Sequence, residues 1–341
     1  MKPEPFLHLR VHGGPDQAGV PLHDFSTNSN ACGPSPHALD AVSQADPTQY
    51  PDAAYTELRR QLAGFHQVDV DRIVLAASAS EFIFRITSLV AQRGGKSLSL
   101  PVHCYGDYAQ AARAFSIEPV GVSANPDLSW SCDPSSPQGL ADERLQGLVN
   151  AQTVGEVVVL DRAYEPLRLE GAIRLSDELL QKTWQLWTPN KALGLTGIRA
   201  AYAIAPSGDH AGIQAMERLC PSWPVGSHGV AMLQAWVQPE VQSWLHGSKT
   251  TLRLWKTRQI DLCTRLGWRC DASHANFFCA QPALPDGVSL ADALDRLRTH
   301  GIKLRDTTSF NLPGMVRVSV QSPESQDALH NAWQSVIRKT E

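Results

Sequence analysis

The chain has 341 residues, 43% of them apolar and 19% charged, which is enough to bury a large core and, on length alone, to form about two domains. With 30 basic against 34 acidic residues it carries no footprint for nucleic acid or an anionic membrane surface, so a small molecule is the expected partner. Seven scattered cysteines (Cys32, Cys104, Cys132, Cys220, Cys263, Cys270, Cys279) without a C-x-x-C pair exclude a disulfide framework and a zinc site, and no signal-like or membrane-length apolar run is seen, so a reducing, cytoplasmic setting is expected.

In chain order, residues 7–20 are polar, with His12-Gly13-Gly14-Pro15 reading as a turn. Asp24-Phe25-Ser26-Thr27-Asn28-Ser29-Asn30-Ala31 is rich in turn and cap formers, and a helical pattern follows over 37–45. Tyr50-Pro51-Asp52 precedes an amphipathic helix with Leu58, Leu62 and Phe65 on one stripe. Residues 72–75 read as a buried strand, and Ser78-Ala79-Ser80-Glu81 opens a helix to about Gln92. Such a turn leaves backbone amides free at a helix N-terminus, where a phosphate is well held, although Ser80 and Glu81 serve equally as ordinary helix starters. Strands are expected at 97–102 and 118–122, with a helix between them through Phe115. Residues 156–160 form a continuous apolar run, as in a strand buried within a parallel sheet, and end at Asp161. Further strands are expected at 184–187, 200–205, 274–279 and 315–320. Helices are expected at 211–219, from about Ser227 with an interruption near Pro239, and at 290–300.

One stretch organises the rest: Thr188-Pro189-Asn190-Lys191-Ala192-Leu193-Gly194-Leu195-Thr196-Gly197-Ile198-Arg199. A lysine just after a strand, a glycine-punctuated turn, and an arginine eight residues on suit pyridoxal phosphate chemistry. The amine forms a Schiff base with the cofactor aldehyde, and the guanidinium meets its phosphate. Gly194 and Gly197 would allow close backbone approach and a sharp turn.

This stretch resembles the lysine motif of the class I/II aminotransferases, the fold-type I pyridoxal-phosphate enzymes. The resemblance implies an α/β fold of the aspartate aminotransferase type: a large domain over 46–234 with a mainly parallel, doubly covered sheet, and a small α+β domain from 1–45 and 235–341. It makes Lys191 the Schiff-base lysine, Arg199 a phosphate ligand and Thr188 a hydroxyl near the phosphate. The family usually has Ser before the lysine, where this chain has Asn190. Ala79 and Ser80 are assigned to the phosphate, and Tyr105, from a P-x-Y-x-x-Y pattern with His103 in place of the proline, to the face of the pyridine; Tyr108 and His103 are the alternatives. Asp133-Pro134-Ser135-Ser136-Pro137-Gln138-Gly139 matches the family's N-P-N-N-P-T-G, with Ser136 replacing the asparagine that meets the cofactor's phenolic oxygen. Asp161-Arg162-Ala163-Tyr164 resembles D-E-A-Y: Asp161 would pair with the pyridine nitrogen and Tyr164 with the phenolic oxygen. Arg317, in an R-x-S strand, would bind the substrate carboxylate, and Asn28 would reach into the site. Tyr50 would reach the cofactor phosphate of a neighbouring subunit, which implies a homodimer with shared active sites.

The His-Gly-Gly opening, the 24–30 segment and the 305–310 stretch before a Leu-Pro-Gly turn resemble the threonine-phosphate decarboxylases of cobalamin biosynthesis. That resemblance places His12 near a substrate phosphate and implies a lyase. Histidinol-phosphate aminotransferases, which are transferases, share most of the other motifs and are the alternative. A non-catalytic paralogue, suggested by Ser136, Arg162 and Asn190, is the third expectation, weighed against the joint presence of Lys191, Asp161 and Arg199.

Overall fold

The computed structural model describes residues 12–121 and 125–337. A two-residue strand β1 (His23–Asp24) is followed by helices α1 (Pro36–Ser43) and α2 (Thr56–His66). Pro36 opens α1, where its missing N–H would have had no partner anyway. The Asp52 carboxylate accepts the backbone N–H groups of Ala54 and Thr56, so the Tyr50-Pro51-Asp52 element caps α2. Leu58 and Leu62 are buried as expected, whereas Phe65 stays 37% exposed at the edge of Trp236.

A seven-stranded sheet follows, built from β2 (Ile73–Ala76), β3 (Ser97–Ser99), β4 (Glu118–Pro119), β5 (Leu128–Cys132), β6 (Val157–Asp161), β7 (Trp184–Trp187) and β8 (Ala201–Ile204). Between these strands lie α3 (Ala79–Gln92), α4 (Gly106–Ala114), α5 (Leu145–Ala151) and α6 (Asp177–Leu180). The spatial order is β2-β8-β7-β6-β5-β3-β4, and only β8 runs against its neighbours. Successive residues of β2 feed two different cores. Ile73 and Leu75 pack with α2 and Trp236, while Val74 and Ala76 pack with Phe82, Ile86 and Tyr108. The sheet is therefore covered on both faces, as strand alternation requires when neither side meets water.

Strand β5 is absent from the sequence reading. Its Leu-Ser-Trp-Ser-Cys alternation resembles a half-exposed edge or a loop, yet all five residues are buried at the centre of the sheet. The strand expected over 97–102 stops at Ser99, ahead of Pro101, which has no N–H to give a ladder.

The remaining elements are α7 (His210–Arg218), α8 (Ser227–Trp236), α9 (Pro239–Arg265), β9 (Arg269–Cys270), β10 (Phe277–Gln281), α10 (Leu290–Thr299), β11 (Ile302–Lys303), β12 (Arg305–Asp306), β13 (Val316–Ser319) and α11 (Pro323–Ile337). Antiparallel strands in the order β12-β13-β10-β9 make a second sheet, and β1 pairs with β11. A third core packs Phe25, Leu262, Phe278, Leu297, Val318 and Trp333 together. The strand expected from residue 274 begins only at Phe277, because the N–H of His274 is donated to Gly139, in the 133–139 loop. Among the described residues no helix is long and apolar enough to cross a membrane.

Candidate active site

The carboxyl ends of β2, β5, β6 and β7 face the β12–β13 hairpin across a cavity of about 620 Å3. Ala79, Ser80, Tyr105, Ser136 and Asp161 line it, as do Tyr164, Thr188, Lys191 and Arg199. His12, Asn28 and Arg317 line it too, the His12 ring 6.1 Å from that of Tyr105. Of the site residues expected from sequence, Tyr50 alone is not among the lining groups. It is 79% exposed and stacks on Trp223 at 4.5 Å.

Lys191 sits in the turn after β7, its ammonium 5.3 Å from the centroid of the Tyr164 ring. The N-terminal segment shapes this turn: Asn30 donates its backbone N–H to the Lys191 carbonyl and its side-chain amide to that of Ala192. Gly194 lies at φ +70°, and a Cβ there would fall 2.6 Å from the Gly33 carbonyl oxygen. Gly197 has an ordinary φ and open space around it, so the tight packing expected of both glycines belongs to Gly194, and its cause is the neighbouring backbone. Gly194→Ala is expected to destabilise the chain by about 2–4 kcal/mol, from left-handed strain plus overpacking, read as a lowered midpoint in denaturant.

Asp161 ends β6 and is buried. Tyr108 donates to its Oδ2 at 2.6 Å and the Ala163 N–H to its Oδ1 at 2.8 Å. Burial raises its pKa, against the opposing pull of those two donors and of the Lys191 charge. Tyr108, weighed for ring stacking, is instead wholly buried, with Trp130 against its face at 4.3 Å. Tyr105 is half-buried on the cavity wall, its hydroxyl 3.3 Å from Ser80 Oγ. His103, the other alternative, does not line the cavity and donates from Nδ1 to the Phe310 carbonyl.

At the start of α3, the Ser78 hydroxyl accepts the Glu81 N–H. Helix geometry leaves the N–H groups of Ala79 and Ser80 without intrahelical partners. Four buried polar atoms nearby also lack partners among the described residues: Thr188 Oγ1, Asn190 Oδ1, and both Oδ1 and Nδ2 of Asn28. The Asn276 amide donates to the carbonyls of Asn28 and Ser29, holding that segment at the cavity. A raised buried carboxylate, a lysine, a helix start and unmatched hydroxyl and amide groups fit pyridoxal phosphate. Lys191 would bind its aldehyde carbon, Asp161 its pyridine nitrogen, and Ala79, Ser80, Thr188 and Arg199 its phosphate.

Ser136 is committed differently from the asparagine it replaces, since its Oγ accepts from Arg317 Nη1 at 3.1 Å. Arg317 also donates to the Ser26 carbonyl at 2.9 Å and is buried. Arg162 points away from the cavity, stacking on Trp187 at 4.3 Å and donating to Gln185.

The sequence reading did not assign Arg305. It is buried, lines the cavity, and stands directly opposite Arg317 in the β12–β13 register. Burial and the Arg317 charge pull its pKa down to about 10. No short turn motif in the sequence sets that register: the pairing spans a connection over 307–315 that holds the short turn Thr308–Phe310.

Residues 21–335 match the family model described as aminotransferase class I and II. Among curated proteins, the histidinol-phosphate aminotransferase of Jannaschia sp. is 27% identical over 322 residues, spanning 88% of this chain and 87% of the relative. Among solved structures, the histidinol-phosphate aminotransferase of Sinorhizobium meliloti, in complex with pyridoxal 5'-phosphate, superposes with a TM-score of 0.79. It is 22% identical, with 92% of this chain and 90% of that one covered. The L-threonine-O-3-phosphate decarboxylase of Porphyromonas gingivalis gives 0.73 at 21% identity, covering 91% and 98%. The fold is of the aspartate aminotransferase type, with a seven-stranded mixed sheet and a smaller antiparallel one. The chain belongs to the class I and II aminotransferase family.

Proposed function

We propose that this pyridoxal-phosphate enzyme transfers the amino group of a small phosphorylated amine, of the histidinol-phosphate kind, to a 2-oxo acid. The buried Arg305–Arg317 pair carries the reading. Both guanidiniums line the cavity beside the Phe310 ring and can donate to a compact anionic group, and a phosphate monoester is one. The names of the curated relatives support it and move the preference from decarboxylation, the sequence expectation, to transamination.

When bound, the cofactor supplies an electron sink for charge released at the substrate α-carbon. Asp161, held by Tyr108 and the Ala163 N–H, keeps a proton on the pyridine nitrogen. The Lys191 amine takes the α-proton, and Tyr164 beside it orients the reacting face. Arg317 and Arg305 fix the anionic end, with Asn28 and His12 also lining the cavity. In this reading 46–234 are the large domain that holds the cofactor, and 1–45 with 235–341 are the small domain. Tyr50, exposed away from its own cavity, serves the second subunit of a homodimer. The seven free thiols support a cytoplasmic setting.

A second reading, decarboxylation of threonine phosphate, is favoured by the Porphyromonas gingivalis neighbour, which this chain matches over 98% of its length. The cofactor-loaded protein is to be given histidinol phosphate with 2-oxoglutarate, and separately threonine phosphate. Glutamate from the first mixture supports transamination; carbon dioxide from the second, without glutamate from the first, replaces it with the lyase. Arg305→Gln is expected to raise KM for the phosphorylated substrate by roughly 10- to 100-fold, the loss of a charge-assisted contact, and to leave unphosphorylated histidinol nearly unaffected.

A further inference from the structure

We propose that His103 is a positioning residue which sets the substrate-anion pocket from the opposite wall of the cavity, by holding the carbonyl of Phe310. The inference rests on the reading that the Arg305–Arg317 wall takes the anionic end of the substrate.

His103 lies in the loop between β3 and α4, two residues before Tyr105, on the wall formed by the large sheet. Its Nδ1 donates to the Phe310 carbonyl at 2.8 Å, joining groups 207 positions apart in the chain. His103 is not itself a lining residue, so its effect passes through Phe310.

Phe310 ends the short turn Thr308–Phe310, between β12 and β13. Its ring centroid lies 4.8 Å from the Arg305 guanidinium carbon and 5.6 Å from that of Arg317. Arg305 Nη2 also donates to Ser309 Oγ at 2.7 Å. The two guanidiniums face the same side of the hairpin and repel one another in a poorly hydrated place. An aromatic ring within reach of both attracts each, so the position of that ring bears on how the two cations are spaced. The same ring walls off water from the pocket, which strengthens any ion pair formed there.

Among the described residues, the turn's other hydrogen bonds are local. Thr307 Oγ1 bonds to the carbonyls of Leu312 and Met315, and the Thr308 N–H to Asp306. These hold the hairpin together but do not fix it against the other wall. The His103 bond does, and it couples the anion pocket to the loop that carries Tyr105.

The test uses the cofactor-loaded protein, with inorganic phosphate as the probe in calorimetry and histidinol phosphate as the substrate. His103→Ala is expected to weaken phosphate binding about tenfold, the effect of one lost hydrogen bond, and to raise KM by a similar factor while kcat changes less than about threefold. His103→Gln, which keeps a side-chain N–H, is expected to recover most of both. Unchanged phosphate affinity in His103→Ala overturns the proposal. So does a Gln variant as weak as the Ala variant with both melting points lowered, which marks a purely structural histidine. A wild-type protein that binds phosphate in a His103-dependent way but turns over no phosphorylated amine sinks the functional reading and leaves this one standing.

Discussion

Replacing Lys191 by alanine is expected to lower turnover at least about a thousandfold, or roughly 4 kcal/mol of barrier, with the fold intact. In the proposed reading the lysine combines two roles, as the covalent seat of the cofactor and as the base at the substrate α-carbon, and no other lysine among the described residues lines the cavity. Its ammonium faces the Tyr164 ring, and the turn that carries it is held by Asn30 from a distant part of the chain. The alanine variant loses the amine and keeps those backbone bonds, so melting curves of the two cofactor-free proteins should nearly coincide. A variant that retains a tenth or more of the activity would contradict both roles.

Asp161→Asn is expected to cost roughly a hundredfold or more in turnover and to stabilise the cofactor-free chain at neutral pH. The sign follows from burial. A carboxyl whose pKa is raised in the folded state contributes stability that is full below its unfolded value, near 4, and lost as pH rises through the folded value. Above that window the wild-type chain bears the cost of a buried charge, which a protonated pyridine beside it would relieve. Asparagine keeps the shape and needs no counter-charge. Its oxygen accepts the Ala163 N–H, and its amide donates to a Tyr108 hydroxyl turned to accept. The melting temperature of the cofactor-free variant should therefore exceed that of wild type at pH 7, with the gap closing as pH falls to about 4. A variant less stable than wild type at both values would show that the carboxylate's hydrogen bonds outweigh its desolvation.

Which parts of the site were readable from sequence follows from where their partners lie. Lys191 and Asp161 could be placed because each directly follows or ends an apolar strand, and strand ends in such a sheet converge on one side. Their surroundings come from long-range packing that periodicity does not record. Tyr108 reads equally well as a ring platform or as helix-start packing. Only the fold puts Trp130, on the unforeseen strand β5, against its face and Asp161 at its hydroxyl. Arg305 needed a hairpin register, and His103 needed a contact across two walls of a cavity. Serines hid β5 because small polar residues on a central strand mimic the polar half of an exposed one.

The most direct test is to load the protein with pyridoxal 5'-phosphate, reduce it with borohydride, digest it and locate the added mass. The account predicts a pyridoxyl group on Lys191 in the wild-type protein and none in Lys191→Ala. The group on another lysine, or no stable adduct in wild type, would contradict the assignment of this cavity as the active site.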